Sequence, residues 1–192
     1  MKLSKLFALI KQHKRIVVAQ GATAQWVGDG SVLYPVYNLP KLTERTMQTL
    51  LDLTGDAWDK FTFEEHEVLH VSEEDFEEGQ TDLQPLDLYI NWRGVEYFPL
   101  MGGGKIYYIK AKYLKPFADD TLLSYSARKD NTIAVNEGLL LSAIIAPVDM
   151  SGDTLLHEIL YKLYDLTKRQ KTVELKEQLD VMEKKRRKKN DT

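Results

Sequence analysis

Cysteine is absent from this chain of 192 residues, and histidine occurs four times. The lack of cysteine excludes a disulfide scaffold, a thiolate nucleophile and a cysteine-ligated zinc site. Long apolar runs are also lacking, since the longest, Leu139 to Val148, is far shorter than the roughly 20 residues that a membrane-spanning helix needs. Residues 1–15 do not match a secretion signal, because polar residues interrupt their apolar positions and no small-residue cleavage site follows. We therefore expect a cytoplasmic protein without a membrane partner.

Recognisable catalytic patterns are scarce as well. The MGGGK segment at residues 101–105 lacks the spacing of a phosphate-binding loop and is expected to connect two strands of a hairpin. No serine lies in a nucleophile-elbow context, and Asp29, Asp52 and Asp149 form no recognisable acid–base pair. We therefore predict no catalytic residue and no cofactor, while a single histidine motif keeps an enzymatic alternative open.

That motif is HEVLH at residues 66–70, which matches the H-E-x-x-H pattern of zinc peptidases. On a helix, His66 and His70 would lie one turn apart and could bind one zinc ion, while Glu67 would activate a water molecule. The apolar alternation over residues 61–71 fits a strand at least as well, and there the two histidines would be about 13 Å apart and could not share a metal. The main expectation is therefore no metal site, with a zinc metallopeptidase as an alternative function.

Charge is strongly segregated along the chain, although the formal net charge is only -3. Acidic residues concentrate between Glu64 and Asp87, where we expect an acidic insertion at about residues 72–85. The chain closes with the basic run KKRRKK at residues 184–189. A run of this kind is usually solvated and in some proteins binds nucleic acid or acidic partners.

Hydrophobic periodicity and turn residues predict an α+β fold. Leu3, Leu6, Phe7 and Ile10 form the apolar stripe of a first helix at residues 2–15. The last predicted strand, at 139–147, is apolar on both faces, as a strand in the covered centre of a sheet requires. The other predicted elements are strands at 15–19, 24–27 and 31–36, a helix at about 43–54 between the N-cap Thr43 and Gly55, a strand or helical turn at 61–71, a hairpin of 86–90 and 95–100, a strand at 106–109, a helix at 110–117, and strands at 122–127, 132–135 and 139–147.

From residue 151 onward the pattern is that of one long helix. Asp153 or Thr154 can cap it, and its apolar positions continue to Met182 with one phase slip. We therefore predict two parts, an α+β domain at residues 1–150 and a C-terminal helix with a basic tail at 151–192. Dimerisation through residues 153–182 would make the chain a helix-mediated interaction or scaffold protein, which is a second alternative function.

The order of elements occurs twice, once at residues 105–149 and once, approximately, at the amino terminus. The segment KIYYIKAKYLKPFADDTLLSYSARKDNTIAVNEGLLLSAIIAPVDM resembles the closing half-domain of a DNA sliding clamp, with AKYLKPF as its short helix and LLLSAIIAPVDM as its last strand and proline-containing exit. LPKLTERTMQTLLDL followed by LDLYINWRGVEYFPL is similar to the helix-and-hairpin arrangement of clamp domains. The resemblance implies two βαβββ-like half-units that form one clamp-like domain over most of residues 1–150.

The chain also resembles small uncharacterised proteins encoded among phage and prophage replication genes. The resemblance lies in QWVGDGSVLYPV, LPKLT, YLKPF and GLLLSAIIAPV. Together the two resemblances imply a non-enzymatic DNA-associated accessory protein of phage or prophage replication or recombination. Its implied partners are double-stranded DNA, replication proteins and further copies of the chain in a homo-oligomer.

A sliding clamp presents basic helices to the phosphates of a duplex without reading its bases. The resemblance therefore assigns DNA binding to the basic residues of the predicted helices at 2–15 and 110–117. The predicted helix at 43–54 departs from the clamp pattern, because its one basic residue, Arg45, is outnumbered by the acidic Glu44 and Asp52. The candidate DNA-binding residues are Lys2, Lys5, Lys11, Lys14, Arg15, Lys110, Lys112 and Lys115.

Overall fold

The computed structural model describes residues 1–21, 23–66, 80–117, 122–150 and 152–169. It has an α+β architecture with a large mixed sheet and a C-terminal helix. The chain divides into two compact units, Met1–Asp149 and Met150–Thr192. Among the described residues, none of the helices has the length and hydrophobicity that a bilayer-spanning segment requires.

The sheet contains eleven strands within the described residues. They are β1 (Arg15–Gln20), β2 (Gln25–Gly28), β3 (Val32–Val36), β4 (Thr62–His66), β5 (Thr81–Pro85), β6 (Ile90–Trp92), β7 (Val95–Gly102), β8 (Lys105–Lys110), β9 (Leu123–Ala127), β10 (Ile133–Glu137) and β11 (Leu140–Ile145). Their order is β4-β1-β2-β3-β11-β10-β9-β5-β7-β6, and β8 pairs with β7. The pair of β1 and β4 is parallel, and the other described strand pairs are antiparallel.

Two antiparallel three-stranded meanders form the middle of the sheet. The first consists of β1, β2 and β3, and the second of β9, β10 and β11. They join where β3 pairs with β11, for example at Val32 and Ile145. Ala143 and Ile145 of β11 belong to the main core cluster, whereas Ile144 between them belongs to a smaller one. The prediction of a covered central strand is therefore confirmed.

The helices α1 (Leu3–His13) and α2 (Glu44–Leu50) are shorter than the sequence pattern predicts. The structure also contains two 3₁₀ helices (Gly55–Lys60 and Ala111–Leu114) and α3, which is helical from residue 154 to 169, the last described residue. The helix predicted at 110–117 is thus wrong in type and length, because its hydrogen bonds span three residues, as from the N–H of Phe117 to the carbonyl of Leu114. Ala111–Leu114 together with Lys110 and Lys115 is the lysine turn.

The buried stripe of α1 is confirmed, with Leu6 and Ile10 fully buried in the main core cluster. The helix ends at His13, because Lys14 takes the left-handed conformation with φ 55°. The chain enters β1 at the next residue. Arg15, predicted on the basic face of this helix, therefore belongs to β1, and its placement on the helix is corrected.

Thr43 caps α2, as its sequence predicts, and the structure shows that the cap is reciprocal. The Oγ1 of Thr43 accepts from the N–H of Thr46 at 3.3 Å, and the Oγ1 of Thr46 accepts from the N–H of Thr43 at 2.7 Å. The carboxyl end of α2 differs from the prediction, which placed it at residue 54, directly before Gly55. Asp52 takes the left-handed conformation with φ 51°, so the helix ends earlier.

The segment between α2 and β7 holds two further corrections. Residues 81–85 form β5, which pairs with both β9 and β7, so the predicted acidic insertion at about 72–85 is wrong at its carboxyl end. Residues 72–79 lie outside the described ranges. The strand predicted at 86–90 is also wrong, because Asp87 has φ 53° and β6 begins only at Ile90.

The glycine run at residues 102–104 forms the β7–β8 turn, as predicted. Gly102 pairs with Lys105, and Gly103 and Gly104 between them have φ 56° and 71°. Positive φ at both central positions matches the twist of the flanking strands, and glycine adopts it without steric cost. The run is therefore explained by the hairpin.

Candidate functional site

The two lysine-bearing elements, α1 and the lysine turn, lie side by side. At the start of α1, the N–H of Lys2 donates a hydrogen bond of 2.6 Å to the carbonyl oxygen of Pro116. At its other end, the ring of His13 contacts the Nζ of Lys112 and lies 6.1 Å from the ring of Tyr113. The two elements therefore run antiparallel and touch at both ends of α1.

This arrangement brings the predicted lysines onto two adjoining elements. Lys11, Lys14 and Lys115 are exposed, and Lys110 and Lys112 are half-buried. Lys5 and Lys11 project from α1 about 120° apart, given 3.6 residues per turn, so they occupy opposite flanks of its outer side. We define the basic surface as the lysines of α1, of its two capping residues and of the lysine turn, which are Lys2, Lys5, Lys11, Lys14, Lys110, Lys112 and Lys115.

A buried carboxylate, that of Asp29, joins α1 and the lysine turn to the β2–β3 turn. Its side chain is only 3% exposed. One oxygen, Oδ1, accepts hydrogen bonds from the N–H groups of Ser31 and Val32 at 2.8 and 3.1 Å. The other, Oδ2, accepts a hydrogen bond of 3.0 Å from the hydroxyl of Tyr113 and contacts the Nδ1 of His13. A single side chain thus holds three segments together.

Tyr113 is fixed by its backbone as well as by its hydroxyl. Its carbonyl oxygen accepts a hydrogen bond of 2.6 Å from the hydroxyl of Tyr34 on β3. Burial, with the nearby charge of Asp29 as a smaller cause, raises the pKa of both phenols. Both hydroxyls therefore stay protonated at neutral and acidic pH and act as hydrogen-bond donors there. The lysine turn has a fixed position relative to β3.

The lysine turn places several positive charges near Lys112. Burial lowers the pKa of Lys112, the neighbouring charges of Lys110 and Lys115 lower it further, and Asp29 acts in the opposite direction. The Nζ atoms of Lys112 and Lys110 also lie 5.6 and 5.8 Å from the centre of the Tyr113 ring. Bound anions would reduce the repulsion between these ammonium groups, so the arrangement favours an anionic partner.

Arg15 is engaged in an ion pair within the protein. Its Nε and Nη2 donate hydrogen bonds of 3.0 Å each to the two carboxylate oxygens of Glu64 on β4. This hydrogen bonding raises the pKa of Arg15 and lowers that of Glu64. Because the bidentate pair occupies the guanidinium, we do not include Arg15 in the basic surface.

The H-E-x-x-H motif begins at the end of an extended strand. His66 is the last residue of β4, and its Nε2 lies 3.9 Å from an oxygen of Glu64. Glu67 and His70 lie outside the described residues. Within the described ranges, no group of three histidine, aspartate or glutamate side chains could hold a metal ion.

Asp29 and His13 were not predicted as site residues. The Gly28–Gly30 segment predicts a tight turn, and an aspartate there commonly bonds the backbone two residues on. That local pattern explains the hydrogen bond to Ser31. It carries no information on Tyr113, which is 84 residues away in the chain.

The described part of α3 exposes apolar side chains along one side. Leu155, Ile159 and Leu166 are 67%, 47% and 61% exposed. At about 100° per residue they fall within roughly 40° of one another around the helix axis. An apolar stripe of this kind is typical of a helix that pairs with another protein surface.

Comparisons with protein-family models, with curated proteins and with solved structures give no match. The function is therefore argued from the positions and charges of this chain's own residues. The lysines and the buried carboxylate between their two elements are the strongest of these observations, because they join residues far apart in sequence.

Proposed function

We propose that this chain is a non-enzymatic DNA-associated accessory protein, clamp-like in its fold, that assists phage or prophage replication or recombination. In this proposal its basic surface contacts the phosphates of double-stranded DNA. The observation that carries the proposal is the antiparallel contact of α1 with the lysine turn, which gathers lysines from both ends of the Met1–Asp149 unit. The phage setting follows from the sequence resemblance alone.

The order of elements supports the clamp-like part of the proposal. A lysine-bearing helical segment precedes each meander, namely α1 before β1–β3 and the lysine turn before β9–β11. The two meanders join through β3 and β11, and the two helical segments touch. In the proposal these are the two half-units of one clamp-like domain, each presenting its lysines to the duplex.

The side chains of the basic surface suit contact with phosphates rather than with bases. Lysine carries a compact charge on a flexible stem and attracts phosphate without a fixed geometry. Phosphate contacts position a protein on the duplex and carry no direct sequence information. The proposed role is therefore sequence-independent association, which an accessory protein of replication requires.

The affinity of the protein for a duplex is expected to fall steeply with salt and to be the same for unrelated sequences. Each phosphate contact contributes a slope of about -0.9 to the plot of log affinity against log salt, so up to seven lysines give at most roughly -6. Fluorescence anisotropy with two labelled duplexes of unrelated sequence, at 50 to 200 mM salt, measures this. No binding at 50 mM, or binding without salt dependence, would refute the proposal.

The exposed stripe of α3 favours a second candidate, a helix-mediated interaction or scaffold protein, with a second copy of the chain as its partner. Changing Leu155, Ile159 and Leu166 to glutamine is then expected to convert a dimer into a monomer, because paired helices depend on the burial of such residues. Size-exclusion chromatography with light scattering measures the mass. Lys162→Gln is the matched control on the same helix. A monomeric wild-type chain at 100 µM would contradict this candidate.

A further inference from the structure

His13 lies between the buried Asp29 and the half-buried Lys112. Its Nδ1 contacts the Oδ2 of Asp29, and its Nε2 contacts the Nζ of Lys112. With Asp29 ionised, the Nδ1 of a neutral His13 ring carries the hydrogen and donates a hydrogen bond to the carboxylate. The Nε2 of a neutral ring then has a free lone pair, and it accepts a hydrogen bond from the ammonium of Lys112. In this state Lys112 is bound within the protein.

Protonation of His13 reverses the role of Nε2. A charged imidazole has N–H groups at both positions and no acceptor, so the ammonium of Lys112 loses its hydrogen bond and meets a like charge. The contact of Nδ1 with Asp29 becomes a full ion pair, which keeps the ring in place. Two positively charged hydrogen-bond donors, the Nε2–H of His13 and the Nζ of Lys112, then lie next to each other. An anion that accepts a hydrogen bond from both would offset their repulsion.

We propose that His13 and Lys112 form a phosphate-binding site that opens when His13 is protonated, so that duplex binding strengthens as the pH falls. This inference rests on the proposed function, since the phosphate is that of the DNA backbone. The Nζ of Lys112 supplies one contact and the Nε2–H of His13 supplies a second that a neutral ring lacks. The site thus adds one pH-dependent phosphate contact to the contacts of the other lysines of the basic surface, which do not change with pH.

The charged groups around His13 come from each neighbouring segment. The β2–β3 turn contributes Asp29, and the lysine turn contributes Tyr113 together with its lysines. From β1, the guanidinium of Arg15 lies near Gly30 of the β2–β3 turn and is paired with Glu64 of β4. α1 adds Lys11, and Lys14 follows the end of the helix. Among these described neighbours, Asp29 is the carboxylate that touches the ring, and Lys112 is the cation that does so.

The sign of the pH dependence follows from linkage. If protonated His13 binds phosphate more tightly than neutral His13, then bound DNA favours protonation, and a lower pH favours bound DNA. One proton taken up on binding changes log affinity by up to -1 per pH unit wherever the ring is neutral in the free protein and protonated in the complex. We therefore expect duplex binding to become up to roughly tenfold tighter for each pH unit of acidification.

Duplex affinity is measured at pH 5.5, 6.5 and 7.5 at constant salt for the wild type and three variants. His13→Asn keeps a side-chain N–H for Asp29 but does not titrate, so its affinity is expected to be nearly independent of pH. Lys112→Met is expected to lose the most duplex affinity at pH 5.5, so its affinity should depend on pH less than that of the wild type. His157→Asn, a histidine on α3, is the matched control and should keep the wild-type slope.

A second measurement separates failure of the inference from failure of the proposed function. The imidazole NMR signal of His13 is followed at pH 5.5 during titration with sulfate, an anion that stays doubly charged throughout. Saturable shifts in the wild type that disappear in Lys112→Met support the site even if no duplex binds, in which case only the proposed function fails. Duplex binding with equal pH slopes in the wild type and His13→Asn would overturn the inference and leave the proposed function standing. Absence of both the sulfate shift and the pH slope would also overturn it.

Discussion

Replacing Asp29 by alanine is expected to lower the free energy of unfolding by about 3 kcal/mol or more. The carboxylate is buried and accepts from two backbone N–H groups and from the hydroxyl of Tyr113, besides contacting His13. Its removal takes this acceptor from all of these donors, of which the N–H of Val32 and the hydroxyl of Tyr113 are buried, and each buried unsatisfied donor costs about 1 to 3 kcal/mol. Urea unfolding followed by circular dichroism measures the change.

The matched control is Asp130→Ala in the β9–β10 turn. Asp130 also accepts from a backbone N–H two residues on, that of Thr132 at 2.9 Å, but its side chain is 57% exposed. Water replaces the lost acceptor there, so we expect a loss of about 1 kcal/mol or less. Asp130 also accepts from the Thr132 hydroxyl at 2.6 Å and lies 3.8 Å from the Nε of Arg128, so the difference between the two variants is a lower limit on the contribution of the long-range contacts of Asp29. A loss of about 1 kcal/mol or less for Asp29→Ala would show that Asp29 stabilises only its own turn.

Reversing the charge of Lys2, Lys11 and Lys115 to glutamate is expected to weaken duplex binding by roughly 1,000-fold at 0.1 M salt. Each phosphate contact removed costs about tenfold at this concentration, because it no longer releases a condensed counterion. The slope of log affinity against log salt should become less steep by about 3 for the three lost contacts. All three side chains are exposed, so the fold should tolerate the changes. Fluorescence anisotropy across a salt series gives both quantities.

A variant with the same change in net charge tests whether the location of the lysines matters. Lys41, Lys105 and Lys129 are exposed and belong to other segments than α1 and the lysine turn. Their reversal to glutamate is expected to weaken binding less than about tenfold, through the long-range field alone. If both triple variants lose the same affinity, binding depends on net charge, and the basic surface is not the DNA-binding site.

Several elements could be predicted from local sequence because their causes are local. The apolar spacing in α1 forms a buried stripe wherever that helix packs, and the reciprocal capping of Thr43 with Thr46 needs only two residues three apart. The double glycine of the β7–β8 turn likewise follows from backbone geometry at two positions. The predictions failed where a local pattern was ambiguous, as for the 3₁₀ geometry of the lysine turn and for β5 inside an acidic stretch.

The sequence by itself determined the α+β class, the central position of β11 and the presence of lysines on both helical segments. Only the tertiary structure decided that these segments touch, that Arg15 is paired with Glu64, and that Asp29 joins His13 to Tyr113. The reason is distance along the chain. His13 and Lys112 are 99 residues apart, and no periodicity or turn preference links positions so distant. They meet because the pairing of β3 with β11 and the burial of α1 bring the two halves of the Met1–Asp149 unit together, and that is a property of the whole sheet.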